Sequence, residues 1–562
     1  MAKFKVSKLE DLLLEAGVIT TDELKQIQIV QKKSGQSFIR SLVESNIITE
    51  EKLLETLETH LEIPYVDLFN YQLNPQVITL VPQTMARGYG VVLIDRREGK
   101  LILAMADPLN LMALEDVSVV TNEIVEPVIA SESAIIYTIN QYYGLQESMG
   151  QASLEHEIIY AAEEESPYAV EALVANAPIV KVVNSIIQKA VAEKASDIHI
   201  EPTENGAKVR MRVDGMLYHL ISPPLETRQL IVSRIKIMAD MNIAEKRIPQ
   251  DGQIKMQVDG RTVNMRVSTM PTVYGEKVVL RLLEKDRVIL PLDSIGFTFS
   301  NNAIFRSIIG SSYGLILLTG PTGCGKTTTL YSTLNHISSD KSNIITIEDP
   351  VEYRLDNISQ VQVNPKIGLT FAACLRAILR QDPDVIMVGE MRDGETAEMG
   401  TRAALTGHLV FSTLHTNNAS QAVIRLLEMG VPDFLVSASL AGVIAQRLVR
   451  KICEYCREDY VPGEKEMLIY KAAGVKKTPL KLFRGTGCRR CHGGYHGRTA
   501  IHELQPITPE MREMITAGTS AASLREKASQ MGYKNLFQDG LSRVEEGVTT
   551  LEEVVRVAFD NI

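Results

Sequence analysis

The sequence of 562 residues has no tryptophan, and Phe, Trp and Tyr together make up 5% of it. Proteins that bind single-stranded nucleic acid without sequence preference stack the bases on aromatic side chains, so this scarcity argues against such a platform. The formal net charge of −10 points the same way, because a general polyanion binder carries an excess of basic residues. We therefore expect no nucleic-acid partner, although an acidic protein can still contain a local basic channel.

Long apolar runs are also missing. No stretch approaches the roughly 18 residues that a membrane-spanning helix needs, and the longest candidates, such as Gly314–Thr319, have the length of a strand. The N-terminus is basic and then amphipathic, without the continuous apolar region and small-residue cleavage site of a signal peptide. We therefore expect a protein that stays in the cytoplasm.

Cysteine is scarce, with six residues in a long cytosolic chain, which does not suggest a disulfide framework. Four of them form two Cys-x-x-Cys pairs, namely Cys453 with Cys456 and Cys488 with Cys491. Four thiolates in two such pairs match tetrahedral zinc ligation, and they leave no open coordination position for catalysis. The pattern predicts a structural zinc site, with a redox-active dithiol pair as the alternative.

The remaining patterns divide the chain into five parts. A repeat with an offset of 29 residues pairs Leu13 with Leu42 and Thr20 with Thr49, and each unit reads as two short helices. Beyond residue 289 the pattern becomes strand, loop and helix in repetition, which is typical of a parallel α/β sheet. We predict a tandem-repeat helical module, an α+β domain, a flexible acidic linker, a middle α+β domain and a parallel α/β domain, spanning in that order residues 1–60, 61–145, 146–175, 176–288 and 289–562.

The strongest motif is GPTGCGKT at residues 320–327, which fits the phosphate-binding loop pattern and lies between an apolar strand and a helix. Glycines let backbone N–H groups wrap the phosphates, while Lys326 brings a cation to the β and γ oxygens and Thr327 a hydroxyl to Mg²⁺. For Cys324, a small tolerated residue and a redox-sensitive thiol are the two interpretations. The predicted nucleotide-binding residues are Gly320, Pro321, Thr322, Gly323, Cys324, Gly325, Lys326, Thr327 and Thr328.

Carboxylates follow two further apolar strands. Glu348 and Asp349 end one strand, with Glu352 close behind, and Glu390 ends another. Ligands bind beyond the carboxyl ends of parallel strands, where one carboxylate can hold the magnesium shell and another can orient or deprotonate the attacking water. The alternative is that some of them cap helices or lie on the surface.

Two histidines bracket the next strand. His408 precedes it and His415 follows it. Because this strand is adjacent in sequence to the catalytic strands, we expect a sensor of the γ-phosphate. A structural role for each histidine is the alternative.

The ordered motifs resemble those of the secretion ATPases, the motors of type II secretion and type IV pilus assembly. After the phosphate-binding loop come that family's Asp box, Walker B motif and His box, and the resemblance extends upstream into the middle domain and downstream through the tetracysteine segment at 453–491. The segments that carry it are ITIEDPVEY (345–353), RQDPDVIMVGEMRD (380–393), TGHLVFSTLHTNNA (406–419), RMRVDG (210–215), AEKRIPQDG (244–252) and RVSTMPTVYGEKVVLRLL (266–283).

The resemblance implies a fold and a set of roles. It implies an α/β protein with a RecA-like P-loop NTPase core, a preceding PAS-like α+β domain, a zinc-binding insertion, and an N-terminal helical plus α+β regulatory region. It also implies a homohexamer with ATP between subunits. Arg266 and Arg281 would reach the phosphates as arginine fingers do, Glu352 would be the general base, and Glu390 would polarise the magnesium shell. For the two arginines, surface positions on strands are the alternative.

The family also implies a function, which is ATP hydrolysis that drives pilus assembly through an inner-membrane platform protein, at the cytoplasmic face of the membrane. The tetracysteine segment and the long N-terminal region favour a type IV pilus extension ATPase over a retraction motor. A type II secretion ATPase, a hexameric nucleic-acid motor and a weakly active nucleotide sensor are the alternatives.

The N-terminal repeat is similar to a module of this family that binds cyclic di-GMP through units beginning Arg-Leu-Gly. In this sequence Lys8 and Ser37 stand at the two arginine positions, and Glu10 replaces the glycine of the first unit. Regulated binding of cyclic di-GMP and a role in docking alone are both compatible with the repeat.

Overall fold

The computed structural model describes residues 9–34, 38–45, 47–68, 71, 73–78, 80–97, 99–139, 178–283, 289–474, 479–488 and 490–558. The predicted linker at 146–175 lies outside these ranges. The chain forms two compact units, Met1–Lys285 and Asp286–Ile562. Among the described residues, no helix combines the length and the apolar character that crossing a bilayer requires.

The first unit begins with short helices and then alternates strands and helices. Helices α1 to α9 span Leu9–Glu15, Thr21–Ser34, Phe38–Glu44, Glu50–Leu61, Pro75–Ile78, Gln83–Tyr89, Leu111–Thr121, Pro178–Ala192 and Leu225–Met238. Strands β1 to β9 span Val91–Arg97, Lys100–Met105, Val125–Ile129, Asp197–Thr203, Gly206–Val213, Met216–Ile221, Gln250–Val258, Arg261–Thr272 and Gly275–Leu283.

Two sheets organise this unit. Strands β1, β2 and β3 form a small sheet in which β1 and β2 are antiparallel and β3 is parallel to β2. The larger sheet has the order β6-β5-β4-β9-β8-β7 and is antiparallel throughout. Its apolar side chains pack with those of α8 and α9, so these two helices cover one face of the sheet.

The second unit carries the parallel sheet. Helices α10 to α20 span Phe299–Ile309, Lys326–Ile337, Phe371–Ile378, Gly394–Leu405, Ala419–Glu428, Asp433–Ser439, Glu464–Ala472, Pro509–Thr516, Ala521–Gln530, Leu536–Glu545 and Leu551–Ala558, and two 3₁₀ turns span Leu292–Ser294 and Pro365–Ile367. Strands β10 to β18 span Gly314–Thr319, Ile344–Glu348, Ser359–Gln362, Val385–Val388, Leu409–Leu414, Leu440–Ile452, Arg457–Tyr460, Leu482–Gly485 and Tyr495–Pro506.

The seven-stranded sheet has the order β12-β11-β13-β14-β10-β15-β18. The first six strands are parallel and β18 runs antiparallel to β15, which confirms the predicted parallel α/β arrangement. Strands β10, β11, β13 and β14 are buried at every position. Continuous apolar runs of this kind are typical of parallel strands that are covered on both faces.

One carboxylate fastens the start of this unit to its C-terminal part. Asp539 of α19 accepts hydrogen bonds from Thr298 Oγ1 at 3.1 Å and from Asn301 Nδ2 at 2.8 Å. It also accepts the backbone N–H of His502 at 2.9 Å. Burial raises the pKa of Asp539 to about 6, against the partial compensation of these donors.

Candidate functional site

The phosphate-binding loop joins the end of β10 to the start of α11. Gly320, Gly323 and Gly325 have φ angles of 152°, 78° and 89°, which side chains rarely adopt. A Cβ at Gly320 would lie 2.6 Å from the carbonyl oxygen of Gln446, and a Cβ at Gly325 would lie 2.8 Å from Gln446 Nε2. All three glycines are therefore required by the turn, and Gly320 and Gly325 are required also by the close approach of β15.

Lys326 lies at the first position of α11 and points back over the loop. Its Nζ donates to the carbonyl oxygens of Gly320 at 2.7 Å and Pro321 at 3.1 Å. Burial lowers the pKa of Lys326 below its ordinary value. The ammonium group is thus held at the mouth of the loop, where a phosphate oxygen can replace the carbonyl acceptors.

Cys324 lies inside the same loop and is buried. Burial raises the pKa of its thiol, so the reactive thiolate is disfavoured at neutral pH. This supports the interpretation of Cys324 as a small tolerated residue rather than a redox-sensitive one.

Glu390 follows β13 and is the centre of a charged cluster at the same edge of the sheet. Its Oε1 accepts Nη2 of Arg392 at 2.5 Å, and its Oε2 lies 3.7 Å from Nε2 of His415. Arg392 also lies 3.9 Å from Asp349. Burial, helped by the charge of Lys326, lowers the pKa of His415, so this histidine is neutral at pH 7.

Glu348 ends β11 but is buried, with 4% of its surface exposed. Its Oε2 accepts the hydroxyl of Tyr331, and its Oε1 accepts Thr346 Oγ1 at 2.5 Å and Gln360 Nε2 at 3.1 Å. Three donors of its own chain therefore occupy most of the roughly four acceptor positions of this carboxylate. Such a carboxylate braces structure more readily than it binds a substrate.

Glu352 differs from Glu348 although only four residues separate them. Its side chain is exposed, and its backbone N–H donates to the hydroxyl of Tyr331 at 3.4 Å. The loop after β11 thus presents a carboxylate to solvent at the carboxyl edge of the sheet. The hydroxyl of Tyr331 binds the backbone of the same loop.

The structure separates the two histidines. His408 precedes β14, and its backbone oxygen accepts the N–H of Gly314 at the start of β10. The phosphate-binding loop follows the other end of β10, about 20 Å away for a six-residue strand. Within one chain, His408 therefore lies far from the phosphate-binding loop, and its Nδ1 lies 2.9 Å from the carbonyl oxygen of Ala403. The role of each histidine as a sensor of the γ-phosphate stays a prediction.

Sequence reasoning missed two buried residues that touch the loop. Gln446 of β15 donates through Nε2 to the carbonyl oxygen of Cys324 at 2.8 Å and accepts Thr329 Oγ1 at 2.7 Å. Arg447 donates to the carbonyl oxygen of Asn417 at 2.9 Å. The available signal was a polar pair inside the otherwise apolar run of residues 440–449, which is unusual for a buried strand.

The predicted arginines lie side by side on the face of the six-stranded sheet opposite α8 and α9. Arg266 of β8 pairs directly with Arg281 of β9, and both line a cavity of about 500 Å³ together with Asp251, Gln253 and Ser268. Nε of Arg281 donates to Asp197 at 2.8 Å while the side chain stays 61% exposed. This contact fixes the side chain and leaves much of the guanidinium open to a ligand.

The same contact sets the ionisation of Asp197. Burial opposes ionisation, but hydrogen bonds from Arg281 and Ser196 and the charge of Arg281 hold the pKa of Asp197 below its ordinary value. The arginine therefore has a carboxylate partner that remains charged.

The four cysteines of the two Cys-x-x-Cys pairs converge in an insertion between β15 and β18. All four Sγ atoms lie within 4.8 Å of one another, and the separations Cys453–Cys488, Cys456–Cys491 and Cys488–Cys491 are 3.8, 3.8 and 3.7 Å. A zinc ion with Zn–S bonds of about 2.3 Å requires sulfur atoms about 3.8 Å apart at the corners of a tetrahedron. The donor set and its spacing therefore fit zinc. The four thiolates would fill all four coordination positions and leave none for a substrate.

The comparisons with known proteins agree with this geometry. The family model described as "Type II/IV secretion system protein" matches residues 172–556, which is more than half of the chain. The chain belongs to this secretion ATPase family. It is accordingly an ATP hydrolase, as the phosphate-binding loop and the carboxylate edge indicated, and the resemblance noted in the sequence is confirmed.

Relatives of this secretion ATPase cover almost the whole chain. A type IV pilus assembly ATPase PilB of Myxococcus xanthus is 43% identical over 558 residues, 98% of each chain. The type II secretion system ATPase E of Vibrio cholerae is 45% identical over 81% of this chain and 91% of its own length. The Legionella pneumophila ATPase DotB has a TM-score of 0.51 at 22% identity, covering 67% of this chain and 95% of that one, which supports the RecA-like fold.

A second family model, the MshEN domain, matches residues 61–149. The sequence resemblance to a cyclic di-GMP module rested on residues 1–60, which precede this match. Lys8 and Ser37, the residues at its arginine positions, lie outside the described residues.

Proposed function

We propose that this secretion ATPase powers extension of a type IV pilus, as a homohexamer that acts on an inner-membrane platform protein from the cytoplasmic side. The observation that carries the proposal is the 43% identity, over 98% of both chains, with a type IV pilus assembly ATPase. The complete nucleotide-binding edge of the seven-stranded sheet supports a working motor, since Lys326, Thr327 and Glu390 are all in place.

The bound nucleotide would rest on the loop from Gly320 to Thr328. Backbone N–H groups and the N-terminus of α11 would hold the phosphates, and Lys326 would exchange its carbonyl acceptors for the β and γ oxygens. Thr327, which is exposed at the start of α11, and Glu390 offer the oxygen ligands that Mg²⁺ prefers. The ion would neutralise phosphate charge at this position.

Water activation is the part we assign to Glu352. Its exposed carboxylate can accept a proton from the attacking water, whereas Glu348 is buried and already accepts hydrogen bonds from Tyr331, Thr346 and Gln360. We therefore treat Glu348 as a residue that positions the loop of Glu352. His415 is neutral and lies near Glu390, so it can report on the γ-phosphate by hydrogen bonding.

The six-stranded sheet would supply Arg266 and Arg281 to the phosphates of a bound nucleotide. Charge developing on the γ-phosphate during cleavage would be neutralised by these guanidinium groups, as by arginine fingers in other P-loop enzymes. Closure of the sheet on the nucleotide and its release after hydrolysis would be the movement that the motor passes to the platform protein.

The zinc insertion has a structural role in this proposal. Zinc bound by Cys453, Cys456, Cys488 and Cys491 would close the insertion without taking part in hydrolysis. For the N-terminal repeat we propose docking, because Lys8 and Ser37 stand where the cyclic di-GMP module carries arginines. Saturable binding of cyclic di-GMP to the purified chain would contradict this part.

A second candidate function is export through a type II secretion system. The observation that favours it is the 45% identity with the type II secretion system ATPase E of Vibrio cholerae. The chemistry would be the same, and the difference would lie in the rod that the platform assembles.

The test is complementation of a strain from which the gene has been deleted. We expect the deletion to abolish surface pili, and we expect wild type and the exposed-turn variant Arg261→Gln to restore them. Lys326→Ala and Glu390→Gln should not. Intact pili with a loss of secreted proteins would favour the type II alternative, and a strain that keeps both would overturn the proposal.

A further inference from the structure

A buried tyrosine lies beneath the loop that carries Glu352. Tyr331 belongs to α11, the helix that begins at the phosphate-binding loop, and none of its surface is exposed. Its hydroxyl donates to Glu348 and receives the backbone N–H of Glu352 at 3.4 Å. A single side chain thus connects the phosphate-binding helix to both ends of the segment between the two carboxylates.

Two further contacts hold the same segment. The ring of Tyr331 packs edge-on against Tyr353, the neighbour of Glu352, with centroids 4.5 Å apart. Gln360 of β12 donates to Glu348 at 3.1 Å and to the carbonyl oxygen of Tyr353 at 3.2 Å, and it accepts the N–H of Leu355 at 2.8 Å. The loop is therefore braced from α11 on one side and from β12 on the other.

The buried hydroxyl of Tyr331 acts as a hydrogen-bond donor to Glu348. Burial and the neighbouring Glu348 raise the pKa of Tyr331, so its hydroxyl stays protonated and can donate to Glu348. A buried hydrogen bond is directional. It can hold a backbone in one position, whereas apolar packing alone would tolerate several.

We propose that Tyr331, together with Glu348 and Gln360, positions the backbone of Glu352 so that its carboxylate meets the attacking water. The inference deepens the proposed function and rests on the assignment of Glu352 there. Tyr331 itself touches no substrate, so it is a positioning residue. Because it belongs to the helix of the phosphate-binding loop, it fixes the distance between the phosphates and the base.

The test compares Tyr331→Phe with Tyr470→Phe in the full-length protein. Both tyrosines are fully buried, but among the described residues the hydroxyl of Tyr470 has no hydrogen-bond partner. We expect Tyr331→Phe to lower kcat for ATP by about 10- to 100-fold, the effect of misplacing a catalytic group by a fraction of an ångström to one ångström. The dissociation constant for ADP should stay within a factor of two, and Tyr470→Phe should match wild type.

A double-mutant cycle separates positioning from a general structural effect. If Tyr331 acts through Glu352, Tyr331→Phe should cause no further loss of kcat in the Glu352→Gln background. A multiplicative loss there, or a wild-type kcat for Tyr331→Phe alone, would overturn the inference while leaving the proposed function intact. An unchanged kcat for Glu352→Gln would overturn the assignment of the base, and the inference with it.

Gln360→Ala keeps the inference testable if Tyr331→Phe does not fold. Gln360 is half-buried on the edge strand β12, so its loss leaves the core intact. We expect a smaller fall in kcat, about 5- to 10-fold, again absent in the Glu352→Gln background. An unchanged kcat for Gln360→Ala would count against the inference.

Discussion

The six-stranded sheet and the seven-stranded sheet place functional side chains in different ways. In the six-stranded sheet, Arg266 and Arg281 stand on the strands themselves, on the face opposite α8 and α9. In the seven-stranded sheet β10, β11, β13 and β14 are buried at every position, so Lys326, Glu352 and Glu390 stand beyond the ends of the strands. An uncovered antiparallel face offers chemistry at every second residue, whereas a covered parallel sheet offers it mainly at its carboxyl edge.

Substitution of the two arginines is the strongest test of this difference between the sheets. If the face opposite α8 and α9 serves catalysis, Arg266→Gln and Arg281→Gln should each lower kcat by about 1,000-fold, because an arginine finger neutralises charge on the transferring phosphate. Steady-state ATPase assays and ADP titration would separate this loss from a loss of binding. Arg261→Gln, at an exposed turn of the same sheet, is the control. Wild-type turnover in both finger variants would show that the face has another use.

The zinc site tests whether nucleotide binding by the seven-stranded sheet depends on the insertion between β15 and β18. Cys456→Ser should reduce bound zinc from one ion per chain to nearly none, because three thiolates bind zinc more weakly than four. Proteolytic cuts should then appear within residues 453–494, while ADP binding persists. Metal analysis and limited proteolysis would measure both. Cys374→Ala, a cysteine outside the cluster, should keep its zinc, and loss of zinc from that variant would contradict the assignment.

Two buried carboxylates, one in each unit, predict opposite pH dependence. Asp197 has a lowered pKa, so its stabilising contribution is present above pH about 4 and is lost as the pH falls further. Asp539 has a pKa raised from 3.8 to about 6, so its contribution is present below pH about 4 and is lost as the pH rises through 6.

The expected change for Asp539 is roughly 3 kcal/mol across that window. Hydrogen exchange of peptides covering 197–213 and 535–545, corrected for the intrinsic rates, would measure both trends. Asp197→Asn and Asp539→Asn should each flatten the slope of their own peptide and leave the other unchanged. Slopes of the same sign in the two peptides would contradict the prediction.

Local sequence patterns predicted much of this molecule. The phosphate-binding loop, strand β10 and the four cysteines could be found because each is specified by residues close together in the chain or by a fixed spacing.

The remaining features depend on contacts that no local pattern contains. Spacing alone could not tell the buried, hydrogen-bonded Glu348 from the exposed Glu352. The hydrogen bonds of Glu348 come from residues distant in sequence, among them Tyr331 and Gln360. The sequence placed His408 and His415 at the two ends of one strand, but the distance of each from the phosphate-binding loop depends on how β14 pairs with β10. Gln446 was missed because its role depends on the pairing of β15 with β10.

The two ends of the insertion that carries the cysteines lie next to each other. Ile452 pairs with Tyr495, and the N–H of Cys453 donates to the carbonyl oxygen of Gly494 at 2.9 Å, so the chain leaves and re-enters the sheet at neighbouring positions. Gain or loss of the whole insertion is therefore a change in the length of one hairpin connection, which costs little chain-closure entropy. Evolution can add or remove such a module in one step while the strand register beside the phosphate-binding loop is preserved.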